Sequence, residues 1–491
     1  MKLADLLETL DYECIQGTTD VEVGAVVYNS REITPGSLFI CIEGAVYDGH
    51  GFASQAVESG AVAVVTSKPV TGLEGKNVSV IRVADTRYAM AYISAAWFGH
   101  PAEKLKVIGI TGTKGKTTTT YLVKSILEHA GLKVGLVGTI EAIIGETHIH
   151  ANNTTPESYR LQEDFARMVD AGLDAVVMEV SSQALKLHRT QGFVFDYGIF
   201  TNLEPDHIGP NEHADFEEYL ECKGRLFRQC RVGIVNGDDI HTANVVEGHS
   251  CELETFGTGE ACMLRARNLE LVQGPGELGV GFQVAGLMDF DVRMPFPGRF
   301  SVYNALCAIA ICRHFQVEIP AIREALESVK VKGRIERVDV SDRFTVLIDY
   351  AHNAMALESL LTTLREYRPG RLVCMFGCGG NRSRQRRYEM GEVSGRLADF
   401  TVITSDNPRF EEPKAIMEDI KIGIGKTDGK YVEICDRREA IAYCLSNAKE
   451  GDLIVLAGKG HEDYQEIKGI KYPMDEREII QKLLEGGLKH I

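Results

Sequence analysis

Between an apolar run, Val107–Ile110, and a helical pattern from Thr118 to His129 lies Gly109-Ile110-Thr111-Gly112-Thr113-Lys114-Gly115-Lys116-Thr117-Thr118. In such a loop backbone N–H groups point at phosphate oxygens, Lys116 reaches the β- and γ-phosphates, and the Thr117 hydroxyl can bind Mg²⁺. The spacing is not the strict G-x4-G-K-T, because Ile110 takes the first glycine position. A plain strand–turn–helix with two glycines is the alternative, and it leaves G-K-T-T in a strand–helix context unexplained.

Two more polar motifs close apolar runs: Glu179-Val180-Ser181-Ser182 and Thr201-Asn202-Leu203-Glu204-Pro205-Asp206-His207. Taken singly, Glu179 or His207 reads as a solvated or structurally hydrogen-bonded residue. Together, at the carboxyl ends of successive strands beside a phosphate loop, they converge where a magnesium ion would sit. Lys223, in Tyr219–Phe227, reads on its own as a solvated helix lysine.

In the last third, Gly377-Cys378-Gly379-Gly380-Asn381-Arg382 follows an apolar run, with Arg384, Arg386 and Arg387 close behind. A glycine turn flanked by guanidinium forks suits an anion, carboxylate or phosphate; otherwise it is a charged exposed loop. Thr404–Arg409 and Ala457–Glu462 also end apolar runs, so three strand ends describe one crevice. Arg387 and Arg409 could hold carboxylates there, while Asp406, Asn407 and Glu462 could hold an ammonium. An amino acid carries both.

The elements that must position these groups alternate along the chain. Short apolar runs and turns over the first hundred residues predict a small α/β domain. Ala175–Met178, Tyr197–Phe200 and Val232–Val235 alternate with helical stretches, as in a parallel sheet. After Gly333-Arg334 the alternation restarts with Thr345–Ile348, Leu372–Phe376, Phe400–Thr404, Tyr431–Ile434 and Leu453–Ala457, which predicts a doubly wound domain. The expected domains are 1–99, 100–332 and 333–491. At 491 residues the chain is long enough for about three.

With 53 Lys+Arg against 70 Asp+Glu the net charge is −17, which argues against non-specific nucleic-acid binding. Twelve scattered cysteines without a paired framework read as reduced thiols, neither disulfides nor a zinc site. Met1-Lys2-Leu3-Ala4-Asp5 does not open a signal peptide and no 18 apolar residues run together, so the expected compartment is the cytoplasm, without membrane insertion.

These motifs resemble the Mur ligases over essentially the whole chain, and among them the members that add the third peptide residue. The resemblance rests on Ser30-Arg31, Pro35-Gly36, Asp48-Gly49-His50, the phosphate loop, Thr154-Thr155-Pro156, E-V-S-S, T-N-L-x-x-D-H, Tyr219 with Lys223, and Tyr303-Asn304. It continues through Gly333-Arg334 with Glu336, Asp349–His352, G-C-G-G, D-N-P-R and A-G-K-G-H-E.

The resemblance implies a UDP-binding first domain, a central P-loop ATPase sheet and a Rossmann-like third domain that binds the incoming amino acid. It further implies ATP-dependent amide formation through an acyl phosphate, with Mg²⁺, in peptidoglycan precursor synthesis. Gly112, Thr113, Lys114, Gly115, Lys116, Thr117, Thr118, Asn304, Arg334 and His352 match nucleotide contacts. Ser30, Arg31, His50, Thr154, Thr155, Ser181 and Arg189 match contacts to the UDP-muramoyl dipeptide. Arg387, Asp406, Asn407, Arg409, Gly458 and Glu462 match contacts to meso-diaminopimelate. Thr117, Glu179, His207 and a carbamylated Lys223 match the metal ligands, and Lys116, Lys223, Glu179 and His207 the catalytic set. A monomer is expected.

The chain departs from the family pattern at Asn29, Lys114, Gln183, Ile208–His213 and Asn353–Met355. L-lysine, or a different acceptor in a paralogue, is therefore the alternative substrate. A non-catalytic nucleotide binder would have lost the metal ligands.

Overall fold

In the computed structural model, which describes residues 1–44, 47–209, 212–274 and 277–486, the N-terminal apolar runs become buried strands. They are β1 (Glu13–Gln16), β2 (Ala25–Val27), β3 (Ser37–Ile40), β4 (Ala63–Thr66) and β5 (Ser79–Arg82), in the order β1-β5-β4-β3-β2. All pairs are parallel except β1 with β5. Leu38 and Ile40 enter one core with Leu3, Leu6, Met90 and Ile93; Phe39 enters the other with Ala53, Ala56 and Val80. That period of two explains an unbroken apolar run, since a strand covered on both faces has no polar side. Helices α1 (Leu3–Leu6), α2 (Ala53–Glu58) and α3 (Thr86–Trp97) provide the cover, and Asp85 caps α3 by accepting from Arg87 N and Tyr88 N.

A second sheet uses β6 (Lys106–Thr111), β7 (Val134–Val137), β8 (Glu141–Ile144), β9 (Thr147–His150), β10 (Ala175–Glu179), β11 (Phe195–Phe200), β12 (Cys230–Asn236) and β13 (Glu252–Gly257). Their order is β13-β12-β11-β6-β10-β7-β8-β9, parallel through β7 and antiparallel at β8 and β9. The crossovers carry α4 (Lys116–His129), α5 (Ser158–Asp170), α6 (Ser182–Lys186), α7 (Phe216–Gly224) and α8 (Thr242–Val245). Because α4 starts at Lys116, two residues before the expected Thr118, the phosphate-loop lysine opens the helix. The chain continues through β14 (Leu264–Gly274), the hairpin of β15 (Glu277–Gly286) and β16 (Phe290–Met294), and helices α9 (Arg299–His314) and α10 (Ile319–Ser328).

The third sheet has the order β17-β18-β22-β19-β20-β21. Its strands are β17 (Glu336–Val338), β18 (Thr345–Asp349), β19 (Arg371–Phe376), β20 (Phe400–Ile403), β21 (Tyr431–Glu433) and β22 (Asp452–Ala457), parallel except β17. Helices α11 (Ala354–Glu366), α12 (Arg384–Leu397), α13 (Pro413–Ile424), α14 (Arg437–Ser446) and α15 (Glu476–Glu485) lie between and after them, and β23 (Tyr464–Ile467) pairs with β24 (Ile470–Pro473). One core lies with α11–α13 and the other with α14 and α15, the doubly wound arrangement expected.

By contacts the chain forms two compact units, Met1–Arg265 with Tyr303–Ile322, and Ala266–Val302 with Arg323–Ile491. Among the described residues no helix is long and apolar enough to cross a membrane.

Candidate active site

In the first unit the phosphate loop joins β6 to α4 and needs glycine at two points. Gly112 has φ +148° and a Cβ there would stand 1.9 Å from Thr201 Oγ1; Gly115 has φ +85° and its Cβ would stand 2.4 Å from Asn304 Oδ1. These close approaches let the strand-end motif after β11 hold the loop. Thr113 N donates to Asn202 O, Lys114 N to Asn202 Oδ1, and Thr201 Oγ1 to Lys114 O, at 2.8–2.9 Å. Lys116 Nζ donates to Gly112 O at 2.8 Å and Thr113 O at 3.1 Å. Thr118 is half-buried at the start of α4.

Thr117 Oγ1 lies 3.0 and 3.1 Å from the two Glu179 oxygens, both residues being buried. Thr139 donates to the same carboxylate through N at 2.8 Å and Oγ1 at 3.1 Å, and its hydroxyl meets Thr154 Oγ1 at 3.0 Å. Thr155 Oγ1 donates to Glu179 O at 2.8 Å and accepts from Ser181 N at 3.1 Å. Arg189 holds Thr155 O with Nη1 and Glu157 with Nη2, and Glu157 also pairs with Arg87. Thr154, Thr155, Ser181, Arg189 and Glu179 thus share one cradle. Thr139 and Glu157 belong to it too, although no motif singled them out.

Lys223 is buried, contrary to its isolated reading as a solvated lysine. It projects from α7, Nζ donating to Gly112 O at 2.9 Å and lying 4.5 Å over the Tyr219 ring, whose hydroxyl meets Thr113 Oγ1 at 3.0 Å. Burial, with the Lys116 cation nearby, pushes its ammonium well below the usual lysine range. His207 differs: half its side chain is exposed, its ring is 6.1 Å from Tyr219, and its ion-pair contacts are with Asp206 and Glu212. Among the described residues no contact joins it to Thr117 or Glu179.

No group of three or more His, Cys, Asp or Glu gathers around a metal position among the described residues. The oxygens of Thr117 and Glu179 fit a partly protein-held Mg²⁺, a hard cation that takes one or two carboxylates and completes its shell with phosphate and water. Asn304, on α9, accepts from Thr119 Oγ1 at 3.4 Å and closes over Gly115. Ser30 and Arg31 lie in the turn after β2. His50 is fixed elsewhere by Asp48 and by Ser67, whose N and Oγ lie 3.2 and 3.3 Å from Nε2. No contact joins the two groups among the described residues.

In the second unit Asp406, Asn407, Gly458 and Glu462 come together at the ends of β20 and β22. Asn407 Nδ2 donates to Glu462 Oε2 at 2.8 Å, and a Cβ on Gly458 would stand 2.9 Å from Asp406 Oδ2. Fully buried Lys459 donates to Asn407 Oδ1 at 3.1 Å and Glu462 Oε2 at 2.9 Å. This lysine was missed, and its place between two glycines was the signal that could have found it. Arg409 donates to Gly380 O at 2.8 Å and Glu466 Oε2 at 3.3 Å.

Arg387 departs from expectation as a free cation: its fork is taken by Glu411 and Asp419, because a guanidinium buried this deeply requires partners. Exposed Arg382 is better placed, its Cγ and Arg409 Nη1 lying 3.8 and 3.6 Å from where a Gly379 Cβ would stand. Arg334 and His352 gather on Tyr350, at 4.9 and 4.7 Å from its ring. The neighbouring Asp349 accepts from Ile335 N and Ala351 N, both at 2.8 Å, and burial pushes its carboxyl up.

Several departures from the family pattern have local roles. Asn29 Oδ1 accepts from Arg31 N, Lys114 pairs with Glu204 at 2.6 Å, and Asn353 caps α11 by accepting from Ala356 N. Buried His213 meets Ser182 Oγ at 2.9 Å and fastens the stretch after His207; Pro210 and Asn211 lie outside the described residues.

Residues 22–98, 110–312 and 333–460 match the models for the Mur ligase family catalytic domain, the Mur ligase middle domain and the Mur ligase glutamate ligase domain. The UDP-N-acetylmuramoyl-L-alanyl-D-glutamate–2,6-diaminopimelate ligase of Caldanaerobacter subterraneus subsp. tengcongensis is 44% identical over all of both chains. The enzyme of that name from Clostridium perfringens is 40% identical over 99% of this chain and all of its own. A solved structure with that name superposes with a TM-score of 0.73 at 26% identity, covering 99% of each chain. The MurF ligase of Thermotoga maritima, solved with ADP, shares the fold at a TM-score of 0.59 and 17% identity, covering 95% of this chain and 98% of its own.

Proposed function

The chain belongs to the Mur ligase family, and on that premise we propose that it is an ATP-dependent amide ligase joining meso-diaminopimelate to UDP-N-acetylmuramoyl-L-alanyl-D-glutamate in peptidoglycan precursor synthesis. The observation that carries the reading is the phosphate loop with Thr117 Oγ1 within 3.1 Å of the buried Glu179 carboxylate, and Lys223 Nζ on the same loop. Its domains are 1–99 for the UDP group, 100–332 for ATP and 333–491 for the amino acid. All twelve cysteines are free thiols, which supports a cytoplasmic setting.

A carboxylate is a poor acyl electrophile, so the D-glutamyl side-chain carboxylate attacks the γ-phosphorus of ATP, and the bond to the ADP oxygen breaks. Lys116 and the loop N–H groups stabilise charge on the transferring phosphoryl group. Thr154, Thr155, Ser181 and Arg189 hold the dipeptide so that its carboxylate faces the loop. The amine of diaminopimelate then attacks the acyl carbon, phosphate leaves, and the amine's proton passes to solvent.

Thr117 and Glu179 would hold Mg²⁺, with Lys223 beside them and His207 joining only if its half-exposed side chain turns inward, and the ion would supply charge neutralisation on the phosphates. Burial, which disfavours the charged form of Lys223, suits an amine that would take up CO₂, forming an N–C bond and losing a proton, and so would offer an oxygen to the metal. Asp406, Asn407, Gly458 and Glu462 receive the amino acid's ammonium end, while Arg409 meets the second carboxylate. Arg382 replaces Arg387 as the second cation in this reading.

The test is phosphate release with ATP, Mg²⁺ and UDP-N-acetylmuramoyl-L-alanyl-D-glutamate, comparing meso-diaminopimelate, L-lysine and no amino acid. Release dependent on diaminopimelate, with a product heavier by one such residue, supports the assignment. Release with L-lysine alone overturns the amino-acid specificity, and no release with any amino acid overturns the acceptor.

A further inference from the structure

Arg387 is among the largest fully buried side chains, and its partners lead step by step to Arg409. From α12, Nη1 donates to Asp419 Oδ2 at 3.0 Å and Nη2 to Glu411 Oε1 at 2.8 Å. Arg384 also binds Asp419, so Asp419 is shared by two guanidinium groups. The Glu411 oxygen that meets Arg387 also accepts the N–H of Asn381.

Asn381 has φ +54°, a left-handed conformation that asparagine tolerates, and its Oδ1 accepts from Phe410 N at 3.2 Å. The preceding Gly380 donates N–H to Asn407 O at 2.9 Å, and its carbonyl accepts from Arg409 Nη1 at 2.8 Å. Only glycine fits there, because a Cβ would stand 1.9 Å from Pro408 O. Two loops from different strand ends are therefore fastened together, with a buried ion pair behind them.

We propose that Arg387 and Glu411 are positioning residues that set the preference for an amino acid with a second carboxylate, by fixing the Gly380 carbonyl that aims the Arg409 guanidinium. This rests on the ligase reading above. A guanidinium recognises a carboxylate through a planar fork, so its direction matters as much as its charge. Glu411 is held ionised, its carboxyl lowered chiefly by the Arg387 hydrogen bond. Neutralising it leaves Arg387 buried with Asp419 alone and frees the turn to move.

The experiment uses the full chain and phosphate release, with ATP, meso-diaminopimelate and L-lysine varied in turn. Glu411→Gln keeps an acceptor for Asn381 but removes the charge. Asn381→Gly keeps the left-handed turn, leaves the ion pair intact and removes the bond to Phe410, so it carries the test should Glu411→Gln not fold. In each variant the KM for diaminopimelate rises about tenfold, the effect of weakening one charge-assisted hydrogen bond. The KM for ATP stays within about twofold, and the preference for diaminopimelate over L-lysine falls with the rise in the diaminopimelate KM. Arg387→Lys, which keeps the charge but loses the fork, gives an intermediate value. Equal shifts in both KM values, or a lower kcat with the preference unchanged, overturn the proposal. An unmodified protein inactive with diaminopimelate overturns the ligase reading instead.

Discussion

Lys223→Met separates folding from chemistry at the phosphate loop. The native side chain is buried, makes a 2.9 Å hydrogen bond to Gly112 O and lies over Tyr219. Removing that bond costs about 1 kcal/mol. Against this, burial holds the ammonium well below its ordinary value of 10.5, which disfavours the charged form in the folded state. Methionine fills a similar volume without a titrating group, so it removes the cost of burying the charge together with the hydrogen bond.

The sign follows from proton binding. Between the depressed folded pKa and 10.5 the unfolded chain binds more protons, so the unmodified protein gains stability as pH rises through that window. In CO₂-depleted buffer Lys223→Met is therefore at least as stable near neutral pH, and its advantage shrinks as pH approaches the ordinary lysine value. Thermal or denaturant unfolding at the two pH values measures the stability term, and phosphate release measures the chemistry, which the variant loses. Lys223→Ala recovers part of the chemistry with a small carboxylate. A Lys223→Met protein that unfolds much earlier than the original at neutral pH, or that keeps full ligase activity, refutes the reasoning.

Arg409→Ala raises the KM for diaminopimelate by about ten- to a hundredfold, the loss of a charge-assisted fork, and leaves that for ATP nearly unchanged in steady-state kinetics. Arg382→Ala shifts the same constant in the same direction by a smaller factor, since its side chain is exposed. Asp164 is buried on α5 with its carboxyl raised from 3.8 to about 6, burial outweighing Arg160. The folded state binds more protons in that window, so stability is lost as pH rises through it; Asp164→Asn raises stability at neutral pH by at most about 3 kcal/mol and gives no gain below the window, read by denaturant unfolding. Lys114→Asn changes stability by less than about 1 kcal/mol, because its pair with Glu204 is only partly buried and so screened by solvent, and a larger shift in thermal unfolding would show a stronger coupling than the geometry allows.

The phosphate loop, the strand-end motifs and the doubly wound C-terminal sheet were legible because each is local. A buried strand, a glycine turn and a helix start within ten residues fix their own backbone, and the apolar runs along β18 to β22 specify strands covered on both faces. One boundary moved: the helix after the phosphate loop starts at Lys116, directly after the left-handed Gly115, rather than at Thr118.

What the linear order could not supply was partnership between distant residues. Thr117 meets Glu179 across 62 positions, Lys223 reaches Gly112 across 111, and Arg387 finds Glu411 and Asp419 at 24 and 32. A motif names the residue type able to do the chemistry, and only packing decides which charge is buried with it. Lys223 was thus a surface lysine by pattern and is a buried side chain against the phosphate loop in the fold. Arg387 looked like a ligand contact and is committed to the protein's own carboxylates. Residue types and local periodicity identify a phosphate-loop sheet and an amino-acid-like charge pattern from sequence alone; burial and long-range pairing, which set pKa and orientation, exist only once the strands have been brought side by side.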